Sequence, residues 1–222
     1  MSEYYKINSL WKRQGWYFDQ DKKKSSFYPN VLKSLIIGDY ADEEFGNIKK
    51  WDVSEKIDGT NIRIEYERDK SFRIAGRTDN AQIAPHLLTY LQTVFTLEKI
   101  ESVFKDAQKV TLFGEGYGPK IQAGGGNYRK HPGFIMFDVV VGNWVLQSQD
   151  MRAIASEISV PAVPHIGIMT EDEIVDFVKS KPLSRCSEIP QMMEGVVARS
   201  APLMLFRNGR PIMFKLKCKE FQ

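Results

Sequence analysis

With 222 residues, 42% of them hydrophobic, the chain is long enough to bury a sizeable core as a single domain. A formal net charge of +3 permits a polyanionic partner without demanding one, and no apolar run reaches membrane-spanning length. The N-terminus carries no signal-peptide pattern, and Cys186 and Cys218 form neither a metal-binding spacing nor a disulfide framework, so a reducing cytosol is the expected setting.

Residues 1–49 read as short strands and turns, with breaks at Pro29 and Gly38 and a short helix around Val31 to Leu35. Lys12-Arg13 and Lys22 to Lys24 are interleaved with Trp11, Trp16, Tyr17 and Phe18. That mixture suits phosphate contact and base stacking, and equally a solvated edge with its aromatics turned inward. Residues 51–75 read as a β-hairpin with its turn at Arg68 to Lys70, and Arg77-Thr78 follows the return strand. From Ala84 to Ala107 the period turns helical, with Leu87, Leu88, Leu91, Val94 and Phe95 on one face and a break near Thr96 that makes two helices.

Lys109 to Gly114 is a short strand that runs into the glycine-rich loop GYGPKIQAGGGNY, and Phe134 to Val141 is an apolar strand buried on both faces. Val145 to Gln147 is its expected hairpin partner across Gly142-Asn143, followed by a helix over Gln149 to Ile158. Thr170-Glu171-Asp172-Glu173 is a capping-box start for a helix to about Ser180. Gly195 to Arg199 and Pro211 to Lys217 are strands joined across Asn208-Gly209. Antiparallel hairpins interrupted by helices make the fold class α+β, one domain over residues 1–222.

The chemistry centres on Ser54-Glu55-Lys56-Ile57-Asp58-Gly59-Thr60-Asn61, between two β-patterned runs. A lysine at a strand end, with a glycine close behind, can be held rigidly over a pocket floor, and Gly59 would let the backbone approach a ligand. It becomes a useful nucleophile when desolvation or neighbouring cations depress its pKa. Alone, K-x-D-G equally describes a surface lysine and a turn aspartate. Four further stretches join it: Glu115 ending LFGE, Phe137 and Asp138 in FIMFDV, Glu194 opening EGVVAR, and Lys215 with Lys217 in FKLKCK. Period-2 alternation sets Lys215 and Lys217 on one face, with Lys219 if the strand continues, and two such ammonium groups would lower the pKa of Lys56. Each also has a structural reading: Glu115 satisfying a loop, Phe137 in the core, Asp138 capping or pairing, the lysines on a solvated face. Gly124-Gly125-Gly126 lacks a following Lys-Ser/Thr pair and reads as a flexible loop rather than a phosphate-binding one.

Taken in order, Lys56-Ile57-Asp58-Gly59, Arg77, Glu115, Phe137, Glu194-Gly195-Val196-Val197 and Lys215-Leu216-Lys217 resemble the covalent nucleotidyltransferases, the superfamily of polynucleotide ligases and mRNA capping enzymes. EKIDGTN with Asn61 is most similar to the RNA-ligase-2-type branch. The resemblance implies a nucleotidyltransferase (ATP-grasp-like) fold and an ATP-dependent ligase that joins 5′-phosphate to 3′-hydroxyl ends, in nicked or bridged duplexes containing RNA. On that pattern Lys56 attacks ATP to form lysyl–AMP, Glu55 reaches the adenine through its backbone, and Asn61 contacts the AMP phosphate. Arg77 and Glu115 hold the ribose, Phe137 stacks on adenine, and Lys215 and Lys217 grip the phosphates. Glu194, with Glu115, would bind Mg²⁺ or Mn²⁺, and Asp58 would help in the later steps.

The chain ends five residues after Lys217, so the expectation is a catalytic domain alone, a monomer, with no oligonucleotide-binding-fold or helical C-terminal domain. Substrate grip would then fall to the basic N-terminal segment and the loop Lys120 to Lys130. Such a size would fit a phage or bacterial repair setting. The alternatives are a minimal DNA ligase or one for mixed RNA–DNA ends, then a guanylyltransferase, then a non-catalytic nucleic-acid binder.

Overall fold

The computed structural model describes residues 3–14, 16–19, 24–27, 35–69 and 71–221, with 16–19 and 24–27 as main-chain path alone. The N-terminal half contains β1 (Asn8–Ser9), β2 (Trp11–Arg13), β3 (Trp16–Asp19), β4 (Lys24–Phe27), β5 (Leu35–Tyr40), β6 (Trp51–Lys56), β7 (Thr60–Glu67), β8 (Phe72–Gly76), α1 (Pro85–Val94) and α2 (Leu97–Phe104). Then come β9 (Lys109–Tyr117), α3 (Gly125–Tyr128), β10 (Gly133–Val141), β11 (Trp144–Val145), α4 (Ser148–Glu157), β12 (His165–Met169), α5 (Glu171–Lys179), β13 (Gly195–Ser200) and β14 (Met213–Lys217).

Two five-stranded sheets carry the architecture, ordered β1-β14-β13-β6-β12 and β11-β10-β9-β7-β8. Within them β1 runs parallel to β14 and the other pairs are antiparallel. The α+β class holds. The expected hairpin over 51–75 is confined to β7 and β8, because β6 belongs to the other sheet and pairs with β13 and β12. Ile57-Asp58-Gly59 is therefore a crossing between sheets and not a hairpin turn.

Strand parity explains which faces are dry. In β6, Trp51, Val53 and Glu55 are buried, while Asp52, Ser54 and Lys56 lie on the opposite, partly open face. Trp51 and Val53 pack with Val196, Ala198, Phe214 and Leu216 from the neighbouring strands and with Ile174, Val175 and Val178 of α5. A second core joins Ile62, Ile64 and Leu112 to Leu87 and Leu91 of α1, Ile100 of α2 and Met151 of α4. The faces turned away from the first core carry Val197, Lys215 and Ser54, and these line a cavity together with residues of the second sheet.

The helix boundaries follow the side chains. Thr96 breaks α1 from α2 and caps the latter, accepting from the Lys99 N–H at 3.3 Å. Thr170 and Glu173 form the reciprocal capping box of α5.

Several expectations are corrected. Gly38 lies within β5 with φ +87°, so it does not break the chain there. Of the helix expected over Val31 to Leu35, residues 31–34 lie outside the described residues and Leu35 begins a strand. The side chains of Trp16, Tyr17, Phe18 and Lys22 to Lys24 also lie outside them. Strand β9 continues to Tyr117, so Glu115 sits inside the strand and not at its end. The glycine-rich stretch folds into the short helix α3, whose Gly125 packs so closely that an added Cβ would stand 2.0 Å from the Gly118 carbonyl oxygen. Strand β12 was not expected, its five residues HIGIM being too short and too mixed to announce a period. Lys219 is off the strand because the chain turns into a 3₁₀ segment at Cys218–Phe221.

The pairing of β9 with β10 demands glycine at position 114, where a Cβ would lie 2.1 Å from Phe134 Cζ and 2.6 Å from the Ile135 oxygen. Gly114→Ala is expected to destabilise the fold by about 1–3 kcal/mol, read as a lower denaturation midpoint in urea at unchanged slope.

Candidate active site

The cavity is lined from both sheets: Ser54, Glu55 and Lys56 from β6, Asn61 from β7, Glu115 from β9, Phe137 from β10, Val197 and Arg199 from β13, and Lys215 from β14, with Arg77 at its exposed rim. Asp58, Glu194 and Lys217 stand beside Lys56. The Lys56 ammonium donates to Glu194 Oε2 at 2.7 Å, and Lys217 Nζ meets Glu194 Oε1 at 2.6 Å. One carboxylate thus bridges the nucleophile candidate and one of the two closing lysines. Lys215 is lowered to about 8, first by burial and then by Lys56, Lys217, Lys6 and Arg13.

The crossing that carries Lys56 is clamped. The Asp58 N–H donates to Tyr128 Oη at 3.3 Å, and Gln122 Nε2 donates to the Gly59 carbonyl at 3.1 Å. Gly59 is required by contact with protein: a Cβ there would stand 2.3 Å from the Gly116 oxygen and 2.8 Å from Glu115 Cγ. The close approach expected toward a ligand is thus made to β9. The Asp58 carboxyl is raised from its ordinary value by burial, then by Glu194, with Lys56 opposing.

The side chain of Glu55 has a structural task. It is buried and accepts from Ser184 Oγ and from the Arg185 N–H at 2.9 Å, tying the segment before β13 to β6. The Glu55 N–H is engaged by the Pro164 carbonyl at 3.0 Å and is not free for a base.

Glu115 lies across from Asn61 and is pushed up to about 8, chiefly by burial, then by Glu194 and Asp58 against the pull of Lys56. At neutral pH it is a neutral acid able to donate or accept a hydrogen bond. Asn61 Oδ1 is buried without a partner, an acceptor beside the cavity awaiting a donor. Phe137 is the extra residue of a β-bulge, since Met136 pairs with Gly114 and Asp138 with Phe113. A bulge re-aims its side chain, and here it turns Phe137 out of the apolar strand to the cavity. Arg77 is held at the rim from behind. Buried Arg63 donates to the Gly76 carbonyl at 2.8 Å and pairs with Asp79 at 2.7 Å, bracketing the residue.

Sequence reasoning missed Arg199, Tyr4 and Tyr5. Arg199 shares the cavity-facing parity of Val197 and pairs with buried Asp138 at 3.1 Å, which gives Asp138 the structural pairing role. The parity was a readable signal. For Tyr4, whose hydroxyl donates to Asp138 Oδ2 from 134 residues away, the sequence held none.

No group of three or more His, Cys, Asp or Glu side chains able to hold a metal occurs among the described residues. Glu115 and Glu194 are close enough to influence each other's charge, and an ion such as Mg²⁺, which keeps water and phosphate oxygens as its other ligands, would use both by displacing the proton of Glu115 and sharing Glu194 with its lysine partners.

Residues 49–217 match the family model described as RNA ligase. No match is found among curated proteins. The fold is similar to that of a Naegleria gruberi RNA ligase solved with ATP and Mn (15% identity, TM-score 0.60, 98% of this chain and 61% of that one). The Naegleria ligase solved with PPi aligns at 16% identity and TM-score 0.58, over 89% of this chain and 64% of that one. An archaeal ATP-dependent RNA ligase aligns at 16% identity and TM-score 0.57, over 89% of this chain and 50% of that one. The chain thus spans half to two thirds of the length of these structures.

Because the Glu115 carboxyl is raised in the fold, its contribution is full below the ordinary carboxylate range and is lost as pH rises toward about 8. Thermal denaturation from about pH 5 to pH 8 should show wild-type stability falling. Glu115→Gln should flatten that fall and melt several degrees higher than wild type at the alkaline end.

Proposed function

The chain belongs to the RNA ligase family, and on that premise we propose that it is an ATP-dependent polynucleotide ligase acting on nicked or bridged duplexes that contain RNA. The observation that carries this reading is the placement of Lys56 at the sheet crossing, on the cavity, with Glu194 between it and Lys217. A nucleophilic lysine must lose its proton before it attacks, and the Glu194 carboxylate at 2.7 Å can take it.

In the first step the Lys56 Nζ–phosphorus bond forms at the α-phosphate of ATP, and the bond from that phosphorus to the bridging oxygen breaks. Pyrophosphate leaves with the electron pair. Lys215 and Lys217 stand where fixed cations offset the negative charge that develops on the phosphates. Phe137 offers a ring face to adenine, Glu115 and Arg77 reach the ribose, and the amide of Asn61 reaches the α-phosphate or a sugar hydroxyl. Glu115 and Glu194 would hold a divalent ion, Mg²⁺ or Mn²⁺, which supplies charge neutralisation on the phosphates when bound.

In the second step an oxygen of the polynucleotide 5′-phosphate displaces Lys56 from the AMP phosphorus, leaving a 5′–5′ pyrophosphate linkage. In the third, a 3′-hydroxyl attacks the polynucleotide phosphorus, AMP leaves and the strand is sealed. Asp58, near Lys56 and with its carboxyl raised, would help orient the ends in these later steps.

Incubation with α-labelled ATP and, separately, GTP in the presence of Mg²⁺, followed by denaturing electrophoresis, tests the reading. The expected result is an ATP-dependent covalent band that disappears in Lys56→Ala and forms about 100-fold more slowly in Glu194→Gln. Labelling by GTP alone would assign a guanylyltransferase. No band from protein whose intact mass excludes prior adenylylation would refute the enzyme. Sealing of a nicked duplex with an RNA 3′-hydroxyl end then checks the substrate.

A further inference from the structure

The segment Tyr4–Ser9 lies outside the stretch matched by the family model, yet it builds part of the cavity. Strand β1 adds in parallel to β14, with Asn8 opposite Phe214 and Ser9 opposite Lys215, and the Ser9 hydroxyl donates to the Lys215 carbonyl at 3.3 Å. This fixes residues 4–7 across the cavity. The Tyr4 and Tyr5 rings stack with centroids 4.6 Å apart and an interplanar angle of 22°. The Tyr4 ring also meets Phe137 edge-on at 5.2 Å, so three aromatic rings form one contiguous surface.

The surface is locked from behind. The Tyr4 hydroxyl donates to Asp138 at 3.3 Å, Asp138 is paired with buried Arg199, and the Tyr5 hydroxyl reaches Met213 Sδ at 3.2 Å. The Tyr4 ring is nearly buried, packing also on Phe113 with centroids 4.8 Å apart, and backs the partly exposed ring of Tyr5. These two line the same cavity as Lys56, Glu115 and Lys215.

We propose that Tyr4 and Tyr5 are specificity-determining residues that, with Phe137, form the aromatic wall against which the nucleobase of the bound nucleotide packs. The inference rests on the nucleotide reading above and extends it to a segment the family match does not cover. An aromatic wall contributes affinity through the base alone. The phosphates are left to the lysines of β6 and β14. Its hallmark is therefore a loss confined to ligands that carry a base.

Equilibrium titration of the full chain with ATP and with inorganic tripolyphosphate separates the two contributions. Tyr5→Ala and Tyr4→Ala should each weaken ATP about tenfold while tripolyphosphate stays within about twofold of wild type. Tyr4→Phe keeps the ring without the bond to Asp138 and should recover most of the lost ATP affinity. Circular dichroism on the same samples identifies a variant that has failed to fold, and Tyr5→Ala, on the less buried ring, then carries the test. Equal weakening of ATP and tripolyphosphate, or unchanged ATP affinity in both alanine variants, would overturn the wall. If wild type binds tripolyphosphate but shows no gain from the base of ATP, the wall is likewise overturned while the phosphate site stands. If wild type binds neither and forms no adduct, the nucleotide reading itself falls and the wall with it.

Discussion

Three strands of one sheet end flush at a single glycine. Gly195 lies opposite both Lys56 at the end of β6 and Lys217 at the end of β14. A Cβ at Gly195 would stand 2.0 Å from the Leu216 oxygen, so the strands can close up here only around a residue without a side chain. That closeness brings two ammonium groups to one carboxylate. Glu194, immediately before the glycine, accepts from both. Two cations converging in a part-buried site are tolerable only with such an anion between them, and removing it would leave them in mutual repulsion. The rest of the site is arranged around this bridge: the crossing that follows Lys56, the α3 contacts that hold it, and the second sheet that supplies Glu115 and Phe137.

The electrostatics of the cavity favour an anionic guest. Burial holds Glu115 protonated to about pH 8, which removes one negative charge from the wall. Lys215 gives up its proton readily because it is buried near other cations. A polyphosphate entering the cavity would reverse that second effect, drawing a proton back onto Lys215 as it supplies the missing counter-charge. Free protein and occupied protein then differ in the number of protons they hold. Ligand affinity is linked to pH even where the ligand itself does not titrate.

Much of this could be read from residue order. Strand parity put Lys215 and Lys217 on one face, the capping residues marked Thr96 and Thr170, and the spaced motifs named residues that the fold gathers at one cavity. What could not be read was how the strands pair. The K-x-D-G stretch is followed by β7, and adjacency suggested a hairpin, whereas β6 pairs with β13 and β12 across more than a hundred residues. Long-range pairing leaves no local period. The bulge at Phe137 likewise follows from the mismatch of β10 with β9 and not from its own apolar run. Tyr4 and Tyr5 looked like an unremarkable N-terminus because the groups that give them a role, Asp138, Phe137 and Met213, come from β10 and β14. The engagement of the Glu55 N–H by a residue just ahead of β12 was unreadable for a similar reason.

The central claim is that Lys56, and no other lysine of the cavity, becomes bonded to the nucleotide. Lys215 is the natural competitor, since its proton affinity is depressed to about 8. Position decides against it in this account: Lys56 has Glu194 at 2.7 Å to take its proton, while Lys215 lies on β14, separated from β6 by β13. The direct measurement is digestion of the ATP-treated protein followed by tandem mass spectrometry of the nucleotide-bearing peptide. The account predicts AMP on Lys56 alone. AMP on Lys215, or on any other lysine, would contradict it.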